Sequence, residues 1–277
     1  MDVDLEHLRH WIGRTEASVE PLTAALAERF LATLDRDGGI EDGQVTPPLI
    51  HLCLTQPAAR SSELGPDGHP ARGGFLPPVP LPNRMWAGGA FRFIAPLRVG
   101  SSVTRRSRIL DVQLKQGRSG PLCFVTVEHE ISCDGALAVV ETQDIVYRGS
   151  TAAASVTAAP PAPSGAHRRQ IEAGATLLFR YSALTFNGHR IHYDRPYATT
   201  QEGYPGLVVH GPLQATLLAH LAQDLRGAPP REFWFRSLSP LFDNTGFNLH
   251  AVDDGASMSL WTARDGGPVA MQATAFW

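Results

Sequence analysis

The stretch FNGHRIHYD, residues 186–194, sets two histidines, an asparagine, an arginine and an aspartate within nine positions. Three arrangements of such groups are chemically distinct. His192 and Asp194 could begin the ligand set of a non-haem iron centre, with a later histidine such as His250 completing it. His189 and His192 are also three residues apart, a spacing that suits two metal ligands on one helical turn. The Arg-x-Ser pair that often accompanies 2-oxoglutarate binding is missing near Arg264. Alternatively, His192 could do metal-free acid–base work, since an imidazole with an ordinary pKa near 6.5 exchanges protons at neutral pH. Asn187 would then orient a water through its amide. The third arrangement is structural: Asn187 caps a short helix and Asp194 pairs with Arg195.

A second element lies further on, in EGYPGLVVHGPL, residues 202–213. Gly211 and Pro212 are suited to opening a helix, because proline fits the first turn. The start of a helix offers unpaired N–H groups and the positive end of its dipole. Such an end can stabilise the enolate-like oxygen of a thioester during addition of water to a conjugated double bond. That reaction needs a base for the water and a donor for the oxygen. His192 and Gly211 fill those two roles, and His210 beside Gly211 is a candidate substrate contact.

These groups need a scaffold, and the chain divides into two candidate halves. Residues 149–170, GSTAAASVTAAPPAPSGAHRRQ, are small and proline-rich and read as a linker between residues 1–148 and 171–277. In the first half, residues 20–35 have helical periodicity. A Pro/Gly-rich loop over 64–89 follows, and long ordered loops are commonly functional. Strands are expected over 90–99, 101–116, 121–132 and 136–148, with turns at 117–120 and 133–136. In the second half, residues 175–184 read as a strand. A helix should run from Gly211 to a stop at Gly227, with Leu213, Leu217, Leu218 and Leu221 as its apolar stripe. Four further strands complete an α+β unit in which a sheet wraps a helix. The similar layout of the halves suggests a pseudo-dimer.

Composition excludes several functions. The 277 residues carry a net charge of −3, so no electrostatic case exists for a nucleic-acid or anionic-membrane partner. Cys53, Cys123 and Cys133 lack metal-ligand spacing and fit a reduced compartment. The N-terminus has no apolar signal core and no stretch approaches the about 20 apolar residues that span a bilayer, so a cytoplasmic location is expected.

The stretches FNGHRIHYDRPYA, EGYPGLVVHGPL, MWAGGAFRF and GRSGPLCFVTVEHEI…TQDIVYR resemble the MaoC-like acyl-thioester dehydratases and hydratases. The branch is that of hydroxyacyl-thioester dehydratase type 2, mesaconyl-C4-CoA hydratase and itaconyl-CoA hydratase. The resemblance implies a double hotdog fold, an acyl-CoA or acyl-carrier-protein thioester as substrate, no cofactor, no metal, and a homodimer. The wider motif of these enzymes reads Asp-x-Asn-Pro-[Leu/Ile]-His. Its Asp falls on Asn187 and its His on His192, while its Asn and Pro fall on His189 and Arg190. Asn187 cannot take a proton at neutral pH, so either His192 is the sole base or another acid takes part. Within this branch we expect a short dicarboxylyl-CoA, itaconyl- or mesaconyl-C4-CoA, giving citramalyl-CoA. A free carboxylate would be gripped by an arginine, with Arg84 and Arg190 as candidates, and Trp86 would wall the acyl tunnel. Dehydration of plain 3-hydroxyacyl chains is the alternative reaction, and non-catalytic thioester binding the alternative of another class.

Overall fold

A computed structural model describes residues 3–117, 120–149 and 159–277. Ten strands form a single antiparallel sheet: β1 (Thr15–Pro21), β2 (Asn83–Phe93), β3 (Ser102–Gly117), β4 (Gly120–Cys133), β5 (Ala136–Arg148), β6 (His167–Ile171), β7 (Glu232–Ser237), β8 (Phe247–Asp253), β9 (Ser257–Ala263) and β10 (Met271–Phe276). Their spatial order is β1-β3-β4-β5-β2-β7-β10-β9-β8-β6. The first five strands therefore occupy one half of the sheet and the last five the other. The halves join edge to edge through β2 and β7, in a register that pairs Gly89 with Phe235. This junction requires glycine: a Cβ at Gly89 would run into the carbonyl of Thr142 and come within 2.9 Å of the Phe235 ring.

Among the described residues five α-helices accompany the sheet: α1 (Leu5–Arg9), α2 (Ala24–Thr33), α3 (Ala175–Leu184), α4 (Arg195–Thr200) and α5 (Gly211–Arg226). The sequence signals for α5 hold at both ends. Pro212 lies in its first turn, and Gly227 closes it in the left-handed conformation at φ 74°. All residues from Leu213 to Ala222 are buried, so this helix is enclosed on every side, with the second-half strands wrapped around it. Its few polar side chains are satisfied inside. Thr262 donates to the Gln214 side chain at 2.7 Å, and His220 Nε2 bonds the Pro48 carbonyl at 3.0 Å.

Three readings of the sequence are corrected. Residues 175–184 form helix α3, not a strand. They bury Leu178, Tyr181 and Ser182, which share one helical face. The expected linker contains β6, which pairs with β8 from His167↔Ala251 to Ile171↔Phe247. Residues 150–158 of that linker, and residues 118–119 of the expected turn at 117–120, lie outside the described residues. The loop expected over 64–89 gives way at Asn83 to β2, which ends at Phe93, so the strand expected over 90–99 starts and stops earlier. Strand β1 is an addition, pairing with β3 at one sheet edge.

Candidate active site

Between the two halves is a cavity of about 860 Å³. It is lined by the strand faces around Arg105, His129 and Glu141, by Arg84 and Trp86 of β2, by the end of α3, by Asn187–His189, Ile191 and His192, and by Gly211 at the start of α5. The FNGHRIHYD stretch and the glycine-led helix start, separate in sequence, thus meet at one wall.

His192 sits in a 3-10 turn (Arg190–His192) and is buried. Its Nδ1 donates to the Val208 carbonyl at 2.7 Å, which leaves Nε2, on a cavity-lining ring, without a protein partner among the described residues. Burial pushes the imidazole down to about 4, against the bond to Val208. It is therefore neutral at pH 7, with a lone pair ready to accept a proton. The ring of His210 stacks on it at 3.7 Å between centroids. His210 is fully buried, bonds Ser182 through Nε2 at 2.8 Å, and does not line the cavity. The expectation that His210 touches substrate is corrected: it backs the ring of His192.

Asn187 lines the cavity, and its Oδ1 accepts the His189 N–H at 3.0 Å. Its amide nitrogen remains the group it can offer to a water. Gly211 is the first residue of α5, and its φ is not positive. Pro212 has no N–H, so the Gly211 N–H is the leading donor of this helix end. A Cβ at Gly211 would lie 3.2 Å from Trp86 Cε3. Trp86 is thus the wall opposite the donor, fixed by its packing on Phe235 with centroids 4.1 Å apart.

The two arginines part company. Arg84 lines the cavity, and among the described residues it has no carboxylate at ion-pair distance. Its charge reaches His69, His189 and Tyr147. Arg190 does not line the cavity and is fully engaged. It pairs with Asp194 at 2.8 Å, donates to the Pro66 carbonyl at 3.0 Å, and lies 4.1 Å over the Tyr197 ring. The expected role of Arg190 in substrate binding is corrected, and so is the pairing of Asp194 with Arg195. Asp194 caps α4 by accepting from Tyr197, whereas Arg195 pairs with Asp243.

The ligand set His192–Asp194–His250 does not assemble. His250 stacks on Trp261 and accepts from the Gly165 N–H, while Asp194 is bound to Arg190. A different trio gathers instead: Asp67, His69 and His189 hold their ligand atoms within 4.8 Å of one another. Both oxygens of Asp67 are already used by His69, one by its backbone N–H and one by Nδ1, each at 3.0 Å. This is the geometry of an aspartate orienting a histidine. Sequence reading marked the loop but not these two residues, since nothing in their spacing points to His189.

The cavity floor in the first half is polar. His51 Nε2 lies 3.5 Å from Glu141, Gln143 donates to Glu141 at 2.6 Å, and His129 bonds Ser107 at 2.8 Å. Burial opposes the charge of Glu141, yet His51, His129 and Gln143 hold its carboxyl below the ordinary range.

A sheet wrapped around a buried helix, with a neutral histidine and a helix-start N–H lining one cavity, defines a hotdog-type acyl-thioester hydro-lyase. The hydroxyacyl-thioester dehydratase type 2 family matches residues 49–243, and the chain belongs to that family. The chain is 46% identical, over 95% of both proteins, to the mesaconyl-C(4)-CoA hydratase of Chloroflexus aurantiacus. Among solved structures it resembles a MaoC-like dehydratase of Phytophthora capsici, with a TM-score of 0.71 at 12% identity over 99% of each chain. It also resembles a double hotdog protein of Mycobacterium tuberculosis, with a TM-score of 0.59 at 12% identity over 96% of each chain. The fold is thus the double hotdog expected from the sequence.

Proposed function

We propose that this hydro-lyase adds water to a short unsaturated dicarboxylyl-CoA, itaconyl- or mesaconyl-C4-CoA, to give citramalyl-CoA. On mesaconyl-C4-CoA, whose double bond is conjugated with the thioester, His192 Nε2 takes a proton from water and the oxygen attacks the β-carbon. Itaconyl-CoA, whose double bond lies β,γ to the thioester, enters the same step once that bond has shifted into conjugation. The π electrons move onto the thioester oxygen, which the Gly211 N–H stabilises. Asn187 holds the water through its amide, and Trp86 confines the acyl group.

Arg84 carries the choice of substrate. A guanidinium without a carboxylate partner, among imidazoles in a cavity, suits an anionic ligand. The name of the Chloroflexus aurantiacus relative supports the same choice.

The test is a panel of enoyl-CoA thioesters followed by loss of enoyl absorbance. Wild type should turn over itaconyl- or mesaconyl-C4-CoA ahead of crotonyl-CoA. Outright preference for crotonyl-CoA or longer chains would replace this reading with plain 3-hydroxyacyl chemistry. Binding without turnover of any member would make the protein a thioester-binding module.

A further inference from the structure

Hydration moves two protons: one leaves water and one arrives at the α-carbon. His192 can accept the first. Asn187 can neither take nor give the second, and its Oδ1 is held by the His189 N–H. The cavity contains another group suited to the task. His69 lines it, and its Nδ1 faces Asp67 at 3.0 Å, which orients the ring and leaves Nε2 without a protein partner among the described residues. The rings of His69 and His189 are 4.2 Å apart and those of His189 and His192 are 5.3 Å apart, so three imidazoles run in sequence along one wall.

The loop that carries this pair is locked onto the FNGHRIHYD stretch. The Arg190 N–H donates to the Asp67 carbonyl at 2.9 Å, and the Arg190 guanidinium holds the Pro66 carbonyl. Gly68 and Gly188 let the two backbones touch: a Cβ on Gly68 would overlap the Gly188 carbonyl, and Gly68 itself has φ 86°. The Gly65 N–H donates to the His69 carbonyl at 2.7 Å and closes the turn. Three separate restraints thus fix a loop of the first half against a motif of the second, and a fourth closes the loop on itself. A surface turn with no task in the cavity would need none of them.

We propose that His69, oriented by Asp67, is the second acid–base residue of this site. The step balances as follows. Water loses a proton to His192 Nε2 and forms the C–O bond at the β-carbon. The enolate returns its electron pair to the α-carbon, where a C–H bond forms with the proton on His69 Nε2. The proton on His192 then returns to His69, by way of solvent or the intervening ring of His189. The product is substrate plus water, and both histidines are restored. Asp67 is a positioning residue: its negative charge supports the imidazolium form of His69 that must donate. Burial first, then Arg84 and Arg72, hold the His69 imidazole below its ordinary range, so the protonated form is the minor one and Asp67 is what sustains it; the His189 ring lies beside it.

The inference rests on the hydratase reading but not on the choice of acyl group. It is tested on whichever enoyl-CoA wild type hydrates; a wild type inactive on all of them would fail the hydratase reading itself. His69→Gln should lower kcat by roughly two to four orders of magnitude with KM changed only a few-fold. Asp67→Asn should lower kcat less, again with little change in KM. Asn187→Asp, placed in the His69→Gln background, should recover at least about ten-fold, because a carboxylate beside His192 can carry the missing proton. Circular dichroism reports folding, and Asp67→Asn serves if His69→Gln unfolds. A folded His69→Gln or Asp67→Asn protein with wild-type kcat would overturn the proposal. So would the absence of rescue by Asn187→Asp. A stoichiometric divalent ion in the purified protein, lost on His69→Gln, would also overturn it in favour of metal ligation.

Discussion

The imidazoles of His192 and His210 lie face to face, 3.7 Å apart and 19° from parallel, and only the first reaches the cavity. Two charged rings cannot share that spacing in a buried place. Burial, with the charge of His192, holds His210 well below its ordinary range. The bond from His210 to Ser182 fixes one ring, the bond from His192 to Val208 fixes the other, and stacking keeps both flat. His210→Ala should free the His192 ring to tilt, and misplacement of a reacting group by about 1 Å costs on the order of a hundred-fold in rate. His210→Phe keeps a flat partner and should lose less. Comparison of kcat for the two variants checks this, and equal losses would remove stacking from the explanation.

His192→Ala should lower kcat by roughly two to four orders of magnitude while leaving the fold intact. Because burial holds His192 near 4, the acid limb of kcat/KM should fall near that value, not at 6.5. No acid limb should therefore appear between pH 5 and 8, provided the protein stays folded, and a fall in rate with rising pH in that window belongs to His69, which must be protonated to donate. An acid limb centred at 6.5 would mean that His192 is not the base.

Stability should show the same burial. His129, His192 and His220 are each pushed down to about 4 from 6.5, chiefly by desolvation. Between those values the unfolded chain binds protons that the folded chain refuses. Stability is then fully present above 6.5 and declines as pH falls toward 4. Urea midpoints at pH 7.5 and pH 5 measure this, and the expected result is a lower midpoint at pH 5. An unchanged midpoint would show that these rings are hydrated in the fold.

Gly211 separates a catalytic effect from a structural one. Its backbone is ordinary helix, so a side chain there is not strained by φ. The obstacle is Trp86, 3.2 Å from the position of a Cβ. Gly211→Val should displace the thioester oxygen from the N–H and cost about a hundred- to a thousand-fold in kcat/KM. The melting temperature should fall little. A folded Val variant with full activity would remove this helix end from the site.

Much of this arrangement is legible in the sequence, and what is not has identifiable causes. The Leu213–Leu221 stripe, with Pro212 before it and Gly227 after it, announces α5 because helix caps and period agree. Helix α3 is hidden because Leu177, Leu178 and Phe179 form a continuous apolar run, which periodicity alone cannot assign. Phe179 is exposed at 62% and breaks the pattern further. Strand β6, HRRQI, is an edge strand with four exposed residues, so it has no buried face to alternate. Chemistry and spacing singled out His192 and Gly211, and both line the cavity. Asp67 and His69 were not, because their partner His189 lies about 120 residues away and only the fold brings them together.

Arg84 and Arg190 looked equivalent as candidates for a free carboxylate, and the fold predicts opposite outcomes for them. Arg84 is in the cavity without an ion-pair partner, so Arg84→Met removes a charge that only an anionic acyl group would use. Losing a buried, charge-assisted contact costs roughly 2–5 kcal/mol. That is a thirty-fold to several-thousand-fold loss on itaconyl- or mesaconyl-C4-CoA, by about 1.4 kcal/mol per factor of ten. Crotonyl-CoA, which has no second carboxylate, should be affected within a few-fold. Arg190 instead ties Pro66 and Asp194 together from outside the cavity. Arg190→Met should loosen the Asp67–His69 loop, lower kcat on both substrates alike, and reduce the melting temperature. The measurement is kcat/KM for each variant on each thioester. An Arg84→Met protein that loses both substrates equally would remove Arg84 from recognition of the acyl carboxylate, and selective loss in Arg190→Met would transfer that role to Arg190.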